Sequence, residues 1–89
     1  MQVQPSNALL KTISGRIKAA REAKSLTVTE TAERIGISRV QLHAWENGTV
    51  TEMRVGPLVE FTSLTKVSLD WLIDRRGPDP DLRRPHGDD

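Results

Sequence analysis

The chain has no cysteine and no tyrosine, and one phenylalanine and two tryptophans are its only aromatic residues. Without cysteine there is no disulfide framework, no zinc finger and no thiol chemistry. A small cysteine-free domain suits a reducing cytoplasm. So few aromatic side chains make poor stacking platforms for single-stranded nucleic acid. No apolar run approaches the ~20 residues of a membrane span. The first residues, Met1 to Asn7, lack the basic and apolar regions of a signal peptide. No membrane partner is therefore expected. No glycine-rich phosphate loop, nucleophile–base pair or carboxylate cluster is visible, so the chain does not read as an enzyme. No cofactor is implied. His43 and Glu46, at i and i+3, could offer two metal ligands, but a third is missing and no metal is expected. A length of 89 residues leaves room for one domain with one small core.

Charge is present and unevenly spread. Residues 11–77 carry eleven Lys and Arg against eight Asp and Glu, a net of +3, while 78–89 carry two against four, a net of −2. Lys11, Arg16, Lys18, Arg21 and Lys24 face a single acid, Glu22, between 11 and 24. A basic segment attracts polyanions, although charge alone favours the plainer reading of a solvated helix face.

Apolar spacing predicts five helices and no strand. Residues 1–7 read as a flexible arm. The stretch 8–24 reads as helix, with Ile13, Ile17 and Ala20 on one face and Leu9 and Leu10 extending that stripe by a turn. Gly15 weakens its middle, and Ser14 is an alternative N-cap. Thr27 and Glu30 form a capping box for a helix ending at Gly36, with Val28, Ala32 and Ile35 inward. Ser38 and Gln41 form a second box, flanked by the staple pair Ile37 and Leu42. Leu42 and Trp45 face inward, and Asn47-Gly48 ends that helix. Two short helices joined by Gly36-Ile37-Ser38 are the sequence image of a helix-turn-helix. Pro57 opens a fourth helix running to about 64, and Ser68 caps a fifth over 69–76, closed by Gly77-Pro78. Leu64, Val67 and Trp71 read as core, with a dimer surface as the alternative. The segment 78–89, with three prolines and few apolar residues, reads as a disordered tail. The division is thus 1–12 as arm or start of the first helix, 13–77 as the domain, and 78–89 as tail.

Four pieces in order make a resemblance specific: Arg16 to Glu22 with Leu26-Thr27, Thr31 to Ser38, Trp45-Glu46-Asn47-Gly48, and Val67 to Leu72. Over about 13–76 the chain resembles the lambdoid phage repressor and Cro (Xre) family of helix-turn-helix DNA-binding proteins. The resemblance implies an all-α, five-helix lambda-repressor-like domain in which helices 2 and 3 form the helix-turn-helix and 38–47 reads the major groove. By the same resemblance Arg39, Val40 and Ala44 face the bases. Arg39 suits a bidentate contact with guanine, and Val40 and Ala44 suit apolar contact with thymine methyl groups. A phosphate contact or a solvated charge is the alternative for Arg39, but an arginine opposes the dipole at a helix start, which favours a functional role. Gln41 is open between reading adenine and closing the box on Ser38. His43 is a base or phosphate contact, with a plain surface histidine as the default. Candidate phosphate contacts are Thr27, Val28, Thr29 and Ser38 at two helix starts, and Asn47, Thr49, Thr51 and Arg54 after the reading helix. Relatives often place Gln where Val28 stands and a base where Thr49 or Thr51 stands, which implies a shallower salt dependence here. Lys66 stands where Gly is common. The resemblance also implies an ion pair between Arg21 and Glu46.

The resemblance implies sequence-specific double-stranded DNA binding by a transcriptional regulator, a repressor of phage or bacterial type acting in the cytoplasm of a bacterial cell or phage-infected host. One reading helix spans few base pairs, so a homodimer on a pseudo-palindromic operator is expected. The alternative is an antitoxin that binds a toxin protein and autoregulates its operon, for which the acidic, proline-rich tail is compatible but not specific.

Overall fold

Short polar side chains set where the helices begin. In a computed structural model that describes residues 2–50 and 52–85, α1 (Ile13–Ala23) starts where the Thr12 hydroxyl accepts from the Gly15 N–H. α2 (Val28–Ile35) starts at a complete capping box, with Thr27 accepting from the Glu30 N–H and Glu30 from the Thr27 N–H. α3 (Arg39–Asn47) and α5 (Leu69–Asp74) start at Ser38 and Ser68, which accept from Gln41 and Trp71. α4 (Val55–Thr65) alone lacks a side-chain cap; it follows Arg54 and carries Pro57 in its first turn, where the missing N–H leaves no hydrogen bond unmade.

Left-handed residues end four of these helices: Gly36, Gly48, Lys66 and Arg75, at φ 80°, 75°, 62° and 52°. Glycine accepts that geometry freely; lysine and arginine do not. Lys66→Gly is therefore expected to raise stability by about 0.5–1 kcal/mol, the left-handed strain of about 1–2 kcal/mol outweighing the extra freedom glycine gains when unfolded. Urea unfolding of the two proteins at equal m-value checks this.

The core gathers one face from each helix: Ile17, Ala19 and Ala20 of α1, Ala32 and Ile35 of α2, Leu42 and Trp45 of α3, Leu58 and Phe61 of α4, and Trp71 and Leu72 of α5. α1 packs on α3 and α5, α2 on α3 and α4, and α4 on α5. Leu64 and Val67 are half-buried against this core, and Trp71 lies within it. The buried hydroxyls of Thr31 and Thr65 donate to the carbonyls of Thr27 and Phe61, so neither is left unmatched.

Three departures from the sequence expectations have local causes. The predicted helix over 8–24 is broken: Leu9–Lys11 form a separate 3-10 turn, and Thr12 is extended before α1 begins. Gly15 explains the break, since a Cβ there would lie 1.6 Å from the Leu9 carbonyl oxygen. The turn folds down onto α1 through the space that glycine leaves, and Leu10 enters the core. α5 stops at Asp74 rather than Arg76, because Arg75 turns left-handed. Finally, the segment expected to be a disordered tail packs against the fold as far as it is described. Leu82 is buried. Asp79 accepts from the Trp71 indole N–H at 2.8 Å and from Arg75 Nε and Nη2 at 3.1 and 2.8 Å. The bonds from Arg75 and then Trp71 hold the Asp79 carboxyl down at about 2. A buried indole needs an acceptor, and the tail supplies it. A two-residue strand β2 (Arg84–Pro85) then pairs antiparallel with β1 (Gln2–Val3), joining Gln2 to Pro85 and Val3 to Arg84. The start of the expected arm is thus paired too. Met1, Thr51 and 86–89 lie outside the described residues.

Candidate nucleic-acid interface

The face of α3 away from the core follows from its spacing. Leu42 and Trp45 are fully buried, so Val40, His43, Ala44 and Asn47, at i, i+3, i+4 and i+7, form the opposite stripe. Val40, His43 and Asn47 are exposed and Ala44 is half-buried. Arg39 is exposed beside this stripe at the first position of the helix. Gln41 lies nearer the core edge and is half-buried. Only half of its capping box forms: its N–H donates to Ser38, and its side-chain amide makes no bond among the described residues. The amide is therefore not consumed by the cap. Arg39, Val40, His43 and Ala44 are brought together on one side of one helix, with Gln41 on its flank.

The seat of α3 is fixed from behind. Arg21 Nε donates to Glu46 Oε2 at 2.7 Å and Nη2 to Oε1 at 3.0 Å, a two-pronged pair between α1 and α3. Arg21 Nη1 also donates to the Leu26 carbonyl at 2.7 Å, which ties in the connection leading to α2. The two side chains are 11% and 6% exposed, so the pair belongs with buried ion pairs rather than surface ones. The hydrogen bond to Glu46 raises the Arg21 pKa against the opposing effect of burial. Gly36 closes the link between α2 and α3, with the N–H groups of Gly36 and Ile37 both donating to the Ala32 carbonyl at 2.9 and 3.0 Å. The two helices of the turn are thus joined by a short connection tied back to α2 by two backbone hydrogen bonds.

The candidate phosphate contacts divide by what their side chains already do. Thr29 and Asn47 are exposed. Thr27 and Ser38 are exposed but accept a backbone N–H as caps; their hydroxyl protons remain able to donate to an anion. Thr49 donates to the Ala44 carbonyl at 3.4 Å, so its proton is engaged. The Val28 side chain packs half-buried against the core, leaving its free backbone N–H as the group it offers at the helix start. Arg54 is exposed at the N-cap of α4. Thr51 lies outside the described residues.

Arg16 has a role that no local pattern announces. It is 5% exposed, and its guanidinium donates to three backbone carbonyls: Nε to Leu72, Nη1 to Leu10 and Nη2 to Ile73, each at 2.9 Å. It joins the 3-10 turn, α1 and the end of α5, whose free carbonyls form the negative end of that helix. Burial lowers its pKa, and the nearby charge of Arg75 lowers it further. With Arg16 and Arg21 both buried, the basic segment 11–24 presents only Lys11, Lys18 and Lys24 fully to solvent. Two of its five basic side chains are thus turned inward, and three still face solvent.

Residues 17–72 match a family model described as helix-turn-helix. Among solved structures, the chain is similar to the N-terminal DNA-binding domain of SinR from Bacillus subtilis, with 27% identity and a TM-score of 0.66 over 74% of this chain and 96% of that one. It is also similar to a chain in the SinR protein/SinI protein complex, with 28% identity, a TM-score of 0.67 and coverage of 73% of this chain. The match spans 63% of that longer chain, less than two thirds of its length.

Proposed function

We propose a mode of action for this chain, which belongs to the helix-turn-helix family of DNA-binding transcriptional regulators: it reads the major groove with α3 and represses from a two-fold operator. The observation that carries this reading is the outward stripe of α3. Its side chains are left without internal partners while Arg21 and Glu46 lock the same helix to the core from behind. A helix held in one orientation with four or five free side chains on its outer face is what base reading requires. Arg39 reads a guanine, Gln41 an adenine at the flank, and Val40, His43 and Ala44 contact bases between them. Thr27, Thr29, Ser38, Asn47, Thr49, Thr51 and Arg54, with the Val28 backbone, set the register on the phosphates. This set holds one arginine and otherwise neutral groups, so a shallow salt slope is expected. Two copies on half-sites about 34 Å apart would supply the length of sequence that one helix lacks.

Arg39→Ala tests the reading. In fluorescence-anisotropy titrations against DNA upstream of the gene, the native protein should prefer that duplex over scrambled DNA by at least ~10³-fold. The variant should lose about 1–3 kcal/mol on the cognate duplex and relax discrimination at one base pair. Equal binding to both duplexes by the native protein would refute the reading.

A second reading has one observation in its favour. A structural neighbour is a chain of the SinR protein/SinI protein complex, and this chain exposes Val55 and Val59 on α4 and Leu69 and Ile73 on α5. A protein partner, a toxin in the antitoxin version, would use these apolar side chains and leave α3 free.

A further inference from the structure

Val40 is 79% exposed, more than any other large hydrophobic side chain among the described residues. It sits in the first turn of α3 on the outward stripe, and Ala44 follows one turn later on the same line. Neither side chain can donate or accept a hydrogen bond. The apolar group that base edges offer in the major groove is the C5 methyl of thymine. A cytosine methylated at C5 carries the same group at the same edge. A patch without donors or acceptors has no means of telling the thymine O4 acceptor from the cytosine N4 donor. It therefore responds to the methyl group rather than to the base that bears it.

We infer that Val40, backed by Ala44, is a reader of 5-methylpyrimidines, so that operator affinity depends on a C5 methyl at one position whether thymine or 5-methylcytosine supplies it. This rests on the proposal above that α3 enters the major groove. Its consequence is a sensitivity to cytosine C5 methylation at that position, in the direction of tighter binding. Burial of one methyl group is worth about a threefold to fivefold change in affinity.

The probe is a duplex selected by the full chain from a random-sequence pool. It is resynthesised with uracil in place of each thymine in turn, then with cytosine or 5-methylcytosine at the sensitive position. One uracil substitution per half-site should weaken binding about threefold to fivefold, and 5-methylcytosine should bind tighter than cytosine by a similar factor. Val40→Ser, checked as folded by circular dichroism, should abolish both differences on the selected duplex. Uracil tolerated at every position, or a methyl dependence that survives Val40→Ser, overturns the inference and leaves DNA reading by α3 standing. A pool from which no sequence is enriched overturns the major-groove reading itself, and this inference with it.

Discussion

Arg21→Met is expected to cost about 3–5 kcal/mol of folding stability, because it leaves the Glu46 carboxylate buried without its cation. The effect is large against a total of roughly 4–13 kcal/mol for a domain of this length. It should also loosen α3, since the guanidinium joins α1 to Glu46 near the end of α3 and to the Leu26 carbonyl before α2. The expected pattern is non-additive. Glu46→Leu alone leaves the arginine unpaired, whereas the double variant Arg21→Met with Glu46→Leu removes both desolvated charges and should recover most of the loss. Urea unfolding of the four proteins of this cycle measures the coupling. Two single variants that each cost under ~1 kcal/mol and add simply would mean the pair behaves as a surface contact.

Arg16→Met should produce the second large loss, about 2–4 kcal/mol. Removing the guanidinium strands three carbonyls, on Leu10, Leu72 and Ile73, and each unsatisfied buried group costs about 1–3 kcal/mol. Relief from burying a charge beside Arg75 offsets part of this. The damage should be local as well as global. α5 is only six residues long and is held at its end by this arginine, so its amides should exchange faster with solvent than those of α2 and α3 in the same variant. Uniform exchange across all helices would show that Arg16 does not anchor α5 in particular.

The contrast between these two arginines marks how far the sequence could be read. Caps are local: Thr27 with Glu30, Ser38 with Gln41, and Ser68 with Trp71 act across three residues, so their pattern is visible along the chain. The inward pair Leu42 and Trp45 follows from spacing, and the outward stripe of α3 is its complement. The Arg21–Glu46 contact joins residues 25 apart, and only resemblance to a known family suggested it. Arg16 was not legible because its partners are backbone carbonyls, two of them 56 and 57 residues away, and a carbonyl leaves no mark in sequence. Gly15 misled for a related reason. Its low helix propensity suggested a weak middle, while its use is to admit the Leu9 carbonyl. Composition averages over residues, so the contacts made by the described part of the segment 78–89 were not visible in it. One leucine and one aspartate, Leu82 and Asp79, are enough to dock a proline-rich segment when a slot and a buried indole await them.

The most direct test of α3 as the reading element is a titration of isotope-labelled protein with its selected duplex, followed by amide and methyl NMR. The account predicts the largest shifts at Arg39, Val40, His43, Ala44 and Asn47, smaller ones at Thr27, Thr29 and Arg54, and little change on the outer faces of α4 and α5. Shifts concentrated at Val55, Val59, Leu69 and Ile73, with α3 unmoved, would contradict it.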